Sequence, residues 1–382
     1  MQVTQISSGR FHHFHLARQL QERGMLKELW TGYPRFKLRD ESGIPEEKIK
    51  TFPWLQVPYM GWSKLPLIGR SNSLRQRVGW WGREALDWRV QQAINDPTIL
   101  IALSGQGYKS GRRAKSVGGR YICDRGSTHI RYQDRLLREE HRRWKVEWSG
   151  VDPLVIAKEE KEYELADLIS IPSTFCETSF VEMGVDPAKL RRIPYGGRLD
   201  RFHPVSTPDP QAFTVLFVGQ VSLRKGIPYL LDAFSRFQHP RKKLKIVGSI
   251  VEGMEPVLAS LPTDGVEFVG PLANTELVEA YSSANVLVLP SIEEGLSMVM
   301  AEALACGCPV IASRNTGAED LFEDGKEGFI VPNRDPDAIV QALEKVADLG
   351  SLMRPLARQR VQAIGGWDRY GKHWAEVLRP WL

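Results

Sequence analysis

No run of about 18 consecutive apolar residues occurs in this 382-residue chain, so a membrane-spanning helix is not expected. The opening MQVTQISSGRFHHF lacks the apolar core of a secretory signal, which leads us to expect a cytoplasmic protein. Cysteine is scarce. The four thiols, Cys123, Cys176, Cys306 and Cys308, form no paired zinc spacing and read as reduced and largely buried. The GK[ST] of a Walker P-loop is missing. Nothing matches a nucleic-acid recognition module, so no nucleic-acid partner is expected.

What is present is ordinary globular composition, 42% hydrophobic and 25% charged. The length exceeds what one core usually supports, so two domains are the default. The net charge of +5 is unevenly placed. Residues 1–195 hold 32 Lys and Arg against 23 Asp and Glu, and the remainder holds 19 against 23. The basic first half points either to an anionic partner, such as a membrane surface or a phosphorylated acceptor, or to a solvated basic face.

Short β-branched runs alternate with helical patterns along the chain. In the second half they are TVLFVG, KLKIVG, GVEFVG, VLVLP, PVIAS and GFIVP. In the first they are less regular: QVTQIS, LKELWTG, IKTFP, TILIAL, RYICD, DLISIP and LRRIP. Strand–helix alternation implies a doubly wound parallel sheet, here two Rossmann-like α/β domains facing across a cleft. We place the acceptor-side domain at 1–196, the donor-side domain at 197–365, and a final helix, 366–382, crossing back to the first. The boundary falls in the Gly- and Pro-rich stretch 194–210. Ligands of such sheets bind beyond the carboxyl ends of the strands.

The segment SIEEGLSMVMAEALACGCPVIAS, 291–313, carries the most chemistry. A helix is predicted between two strands, closed by Gly307 and Pro309. Its N-terminus offers unpaired N–H groups and a partial positive charge, ready for a phosphate. Glu294 stands before the helix, and Glu302, about one turn in, can reach a sugar hydroxyl beside that phosphate. This is the pattern of a nucleotide-sugar site. Arg224 and Lys225, in the loop that opens at Gly219, place two cations at another helix start, suited to a pyrophosphate; the plainer reading is an ordinary basic loop. Gly248 and Gly270 each end a strand, where glycine lets backbone approach a base or a phosphate. On the opposite wall, Ser7, Ser8, Gly9 and Arg10 follow the first strand and offer an anion nest.

These runs resemble the retaining glycosyltransferases of family four, which have the GT-B fold. The family's Glu, seven residues, Glu motif stands as Glu294-Gly295 through Glu302 and on to Gly307 and Pro309. Lys225-Gly226 and the run from Gly317 through Asp320, Gly325 and Gly328 also match. The resemblance implies that Glu294 bonds hydroxyls of the donor sugar, that N–H groups at Ser297, Met298 and Val299 hold the diphosphate, and that Glu302 accepts from the ribose. It implies that Lys225, with Arg224, neutralises the leaving diphosphate. Gly295, Leu296 and Ser291 complete the donor pocket, and Val269, Gly270 and Ser291 lie where base selectivity would be set. A UDP- or GDP-sugar is the implied donor, with no cofactor and no metal. Asp209 and Asp335, each in an Asp-Pro-Asp triplet, read as turn and helix-cap residues instead.

The chain departs from the family at Gln220, where an arginine is usual, and at Pro194-Tyr195-Gly196-Gly197, which lacks an asparagine. The family's first-domain histidine has no single counterpart. Asp124, Arg125 and His129 are all candidates to line the sugar pocket or act in catalysis, and Asp124 or Ser127 could simply cap the next helix. Gly9, Arg10 and Arg125 are candidates on the acceptor side, as are His12 and His13, for which ordinary helix packing is the plainer reading; no carboxylate is evident near the histidines, so a metal is not expected. Residues 52–89 interleave Trp54, Tyr59, Trp62, Trp80, Trp81 and Trp88 with Lys64, Arg70, Arg75, Arg77, Arg83 and Arg89. That mixture suits either peripheral contact with an anionic membrane face or a buried insertion. The expected reaction is transfer of a hexose, with retention, to a hydroxyl of a glycolipid or a lipid-linked or polysaccharide precursor. The alternatives are a sugar-phosphate synthase or nucleotide-sugar epimerase on a small soluble substrate, and a non-catalytic nucleotide-sugar-binding protein.

Overall fold

The computed structural model describes residues 1–54, 56–60, 72–197 and 201–382. Thirteen strands form two separate all-parallel sheets. The first contains β1 (Val3–Ser7), β2 (Leu26–Thr31), β3 (Ile49–Thr51), β4 (Ile99–Leu103), β5 (Arg120–Asp124), β6 (Leu168–Ile171) and β7 (Leu190–Arg192), in the order β3-β2-β1-β4-β5-β6-β7. The second contains β8 (Phe213–Val218), β9 (Lys242–Val247), β10 (Val266–Gly270), β11 (Val286–Leu289), β12 (Val310–Ser313) and β13 (Gly328–Val331), in the order β10-β9-β8-β11-β12-β13. Each apolar run named from the sequence forms one of these strands. The doubly wound α/β expectation is met in both halves.

Central strands such as β4 (ILIAL) and β11 (VLVL) are apolar at every position because helices cover both faces of the sheet. In the first sheet, alternate residues divide between two cores. Ile6, Leu100, Ala102, Tyr121 and Ile169 pack on one face, and Val3, Ile99, Ile101, Ile122 and Leu168 on the other. The second domain has one continuous core.

The helix Trp367–Leu378 belongs by packing to the first domain. Its Tyr370, Trp374 and Leu378 sit in the same core as Val3, Phe14 and Leu29. His15 stacks on Trp367, ring centroids 3.9 Å apart. The chain therefore crosses between domains twice, and the crossings lie side by side: Gly197 bridges Gly366. A Cβ at Gly196 would stand 2.6 Å from the Gly366 carbonyl oxygen, so the two segments touch backbone to backbone.

In each sheet the strand order reverses between two neighbours, β1/β4 and β8/β11. Loops leaving such a pair diverge and open a crevice at the carboxyl end of the sheet. The residues after β8 and β11 are 219–226 and 290–297. Those after β1 and β4 are 8–10 and 104–107.

Candidate functional site: a cleft between the two switch points

At the second switch point the loops after β8 and β11 bring Lys225 and Glu294 into an ion pair. Glu294 is fixed from behind by its own N–H, which donates to the Asn315 carbonyl at 2.9 Å. Gly226 begins the following helix, Ile227–Arg236, at φ 70°. A Cβ there would lie 2.0 Å from the Pro290 carbonyl oxygen, so only glycine lets the Lys225 loop close on β11. Gly219 and Gly248 end β8 and β9, and the Gly248 N–H donates to the Gly270 carbonyl, beside Val269 on the edge strand β10.

The helix predicted within 291–313 runs from Met298 to Ala305, with Ser297 as N-cap and Gly307 at φ 74° just past its end. The first-turn N–H groups of Met298 and Val299 have no intrahelical acceptor. The Ser297 N–H differs from the expectation: it donates to the Thr316 carbonyl at 3.3 Å, since the loop folds back beside 313–317. Ser291 is fully buried, and its carbonyl accepts from Ser313 Oγ at 2.5 Å. Glu302 Oε2 accepts from the buried Tyr281 hydroxyl at 3.0 Å, which fixes its direction one turn into the helix.

Arg224, partly exposed, is tied to Glu293. Its Nη2 stands 2.9 Å from Glu293 Oε2, and its Nε donates to the Glu293 carbonyl at 3.0 Å. Glu293 is completely buried between the domains. Its Oε1 accepts from Ser127 Oγ at 2.5 Å and Thr128 Oγ1 at 2.7 Å, and its Oε2 from Gln133 Nε2 at 2.8 Å. Burial pushes the Glu293 carboxyl up, but the Arg224 charge and the bonds from Ser127, Gln133 and Thr128 outweigh it and bring it down to about 2. Beside it, a Cβ on Gly295 would lie 2.0 Å from the Gly126 carbonyl oxygen of the first domain. Leu296, next along, is buried in the second-domain core. Ser173 Oγ donates to the Gly295 carbonyl at 2.6 Å. Asp320 accepts from the Thr174 N–H and hydroxyl at 2.7 and 2.9 Å. Arg334 and Tyr229 both bond Glu140. The two walls are closed on one another.

In the first domain the three candidates after β5 separate. Asp124 takes His12 and His13 on one oxygen, at 2.7 and 2.9 Å, and Ser170 Oγ on the other at 2.7 Å. Here the sequence reading is corrected: a carboxylate does stand beside the histidines, brought by β5 from more than a hundred residues away. The three ligand-type atoms lie within 4.8 Å of one another. His12 Nε2 is hydrogen-bonded to the carboxylate, while the buried His13 Nε2 stands within ion-pair distance of the same oxygen. Burial works against its charge, yet the histidines hold Asp124 well below the usual carboxylate range. His12 also packs on Tyr195 of the inter-domain crossing, ring centroids 4.5 Å apart. Arg125 is buried against Glu159 at 2.9 Å and reaches Gln133 Oε1 at 3.1 Å. His129 caps the helix Ile130–Arg143, accepting from the Arg131 N–H at 3.2 Å, and packs on Tyr163 and Phe180. Burial brings its imidazole down to about 4, so it is neutral at pH 7.

The anion nest at 7–10 is also corrected. The Ser8 N–H is taken by Gln106 Oε1 at 2.6 Å, and Arg10 by Asp40 and Glu41, each at 2.9 Å. What the first switch point offers instead is a cavity of about 620 Å³. Gly9, Arg10, Tyr59, Trp80, Arg83 and Glu159 are among the residues that line it. His12 and His13 do not line it. The stretch 52–89 thus divides. Tyr59 and Trp80 face this cavity, whereas Trp54, Trp81 and Trp88 are exposed, with Arg77 set 5.8 Å over the Trp81 ring. Trp62, Lys64, Arg70 and the side chain of Arg75 lie outside the described residues, as do residues 198–200 of the 194–210 boundary. Asp209 and Asp335 do make turn and cap bonds, to the Gln211 and Ala338 N–H groups.

Glu293, Thr128 and Gln133 were not singled out from sequence, and Ser127 was named only as a possible cap of the next helix, a place that His129 takes. The doubled glutamate 293–294 was the one available signal. The other three meet their partner 160 to 166 residues away, which no local pattern discloses.

Residues 200–361 match the family described as glycosyl transferases group 1. A D-inositol 3-phosphate glycosyltransferase of Catenulispora acidiphila is 30% identical over 219 residues, 51% of this chain and 51% of that protein. A sulfoquinovosyl transferase of Arabidopsis thaliana is 28% identical over 195 residues, 47% of this chain and 38% of that protein. The match therefore spans about half the length of the curated relatives. Across the whole chain the fold matches that of solved structures. A sucrose-phosphate synthase from Thermosynechococcus elongatus superposes with a TM-score of 0.72 at 24% identity, covering 100% of this chain and 99% of that one. Anabaena HepE in complex with UDP and glucose superposes at 0.67 and 16%, covering 99% of each. The GT-B architecture expected from the sequence is thereby established.

Proposed function

We propose that the chain is a retaining glycosyltransferase that moves a hexose from a nucleotide diphosphate sugar to an acceptor hydroxyl. The observation that carries this reading is the Lys225–Glu294 ion pair at the β8/β11 switch point, beside the free first-turn N–H groups of Met298 and Val299. A diphosphate laid on that helix start would meet two backbone donors and Lys225, stabilising charge as it develops on the leaving group. A sugar on the same phosphate would release Glu294 from Lys225 to bond its hydroxyls. Glu302, oriented by Tyr281, is positioned for a ribose. The aglycone side of the reaction falls to the first-domain cavity. Attack from the face the leaving group departs, with the leaving phosphate taking the acceptor proton, retains configuration and needs no metal.

The relative of printed name D-inositol 3-phosphate glycosyltransferase and the complex of HepE with UDP and glucose favour a nucleotide-sugar donor, with UDP as the first base to try. For the acceptor we favour a glycolipid or lipid-linked glycan. Trp54, Trp81 and Trp88 lie exposed near the cavity stretch, a composition suited to the interface of an anionic membrane. No helix among the described residues is long and apolar enough to cross a membrane, so contact would be peripheral. A second reading, a small phosphorylated acceptor, is favoured by Arg83. It lines the cavity with no carboxylate partner among the described residues.

Thermal-shift screening against UDP-, GDP-, ADP- and dTDP-sugars tests the donor class, since a ligand well above its dissociation constant stabilises the folded state. One donor class should raise the melting temperature and be slowly hydrolysed without acceptor. No shift and no hydrolysis with any of the four would refute the reading. Vesicle-bound against water-soluble acceptors then separates the two acceptor classes.

A further inference from the structure

Glu293 and Glu294 are neighbours in sequence and opposite in setting. Glu294 meets a cation of its own domain in the crevice, whereas Glu293 is sealed in the domain interface. A carboxylate removed from water is tolerated only when paired and fully hydrogen-bonded. Here the partners come from both sides: Ser127, Thr128 and Gln133 from the first domain, and Arg224 from the second. Separating the domains would strip three of these donors from a charge that Arg224 alone would then hold. The contact also continues inward. Gln133 accepts from Arg125, and Arg125 pairs with Glu159, which lines the first-domain cavity.

We propose that Glu293 is a positioning residue that latches the two domains closed and, in the closed state, sets Arg224 beside the donor crevice. The latch joins the domains through the Glu293 carboxylate, which takes the Ser127 and Thr128 hydroxyls, the Thr128 N–H and Gln133 on one side and Arg224 on the other, so Ser127 and Thr128 act on Arg224 without touching it. It is made when the walls meet and broken when they part, which links donor-crevice geometry to closure over the acceptor cavity. Gly295 is part of the same device: its missing side chain lets the loop seat against Gly126. The consequence for chemistry is water exclusion. A cleft that closes fully transfers the sugar to the acceptor, and one that closes poorly leaks it to water.

This inference rests on the glycosyltransferase reading for its kinetic arm only. Glu293→Gln keeps the shape and removes the charge; Thr128→Val and Ser127→Ala remove donors from the other domain. Each is assayed for transfer and donor hydrolysis together, and for inter-domain distance by paired spin labels at the exposed Leu154→Cys and Leu352→Cys. In Glu293→Gln the transfer kcat should fall about a hundredfold, as for a small misplacement of reacting groups, with donor KM changed less than about threefold. The transfer-to-hydrolysis ratio should drop, and the distance distribution should broaden to longer values. Thr128→Val should move both readouts the same way, more weakly. An unchanged ratio and distance distribution in Glu293→Gln, whatever its melting temperature, overturns the proposal. If Glu293→Gln does not fold, Thr128→Val with Ser127→Ala decides by the same two readouts. If the wild type turns over no donor, the glycosyltransferase reading fails while the distance measurement still decides the latch.

Discussion

The two sheets share one strand order across six strands, yet their crevices are assembled differently. At the second switch point, cations and carboxylates come as consecutive pairs: Arg224 and Lys225 in one loop, Glu293 and Glu294 in the other. At the first, Arg10 is held by Asp40 and Glu41, and Arg125 by Glu159, so the cations come singly from separate segments and not as two adjacent pairs between the same two loops. The second crevice is a compact pairing of two loops, whereas the first is assembled from several separate segments.

The contrast breaks most visibly if the donor pair is removed. Lys225→Ala should lower kcat for transfer about a thousandfold, the scale of losing a charged stabiliser of a developing anion, with the fold intact by circular dichroism. Activity within a few-fold of wild type would show that the compact pair is not the donor site. Next is the backbone contact between the walls. Gly295→Ala forces a side chain onto the Gly126 carbonyl, and we expect transfer to fall about a hundredfold while nucleotide binding persists, read by calorimetry.

Smaller and of different kind is the acceptor side. Trp80→Ala should raise acceptor KM about tenfold and leave donor KM unchanged, a split that initial-rate kinetics resolves. An equal change in both constants would mean that the cavity is not acceptor-specific. The least effect concerns pH. Glu293 has its folded pKa pulled from an ordinary 4.5 to about 2, so its contribution is present above about pH 4.5 and fades as pH falls towards 2. The stability gap between wild type and Glu293→Gln should therefore narrow across that window and stay constant from pH 6 to 8, measured by thermal melts at each pH.

The strands were legible because a parallel sheet buried on both faces needs continuous apolar runs, and VLVLP or TILIAL cannot easily be anything else. The donor helix was legible for the same local reason: Gly307 and Pro309 close it, and Glu294 precedes it. Legibility failed where a residue's partner arrives through the tertiary fold. His12 and His13 showed no carboxylate nearby because Asp124 reaches them only when β5 lies beside β4 and β4 beside β1. Asp124, Arg125 and His129 could not be told apart by spacing. One ends a strand under two imidazoles, one turns to Glu159, and one caps a helix. Arg224 carried the right charge for a diphosphate, but its counter-charge, Glu293, is chosen by a contact between domains.

The central claim is tested most directly by calorimetric titration of UDP, GDP and ADP into the wild type and Lys225→Ala. One nucleotide should bind the wild type at a single site, and at least about tenfold more weakly when Lys225 is gone, the cost of one charge-assisted contact to phosphate. Binding of equal strength to both proteins, or of no nucleotide to either, would contradict a donor diphosphate seated between Lys225 and the helix that begins at Met298.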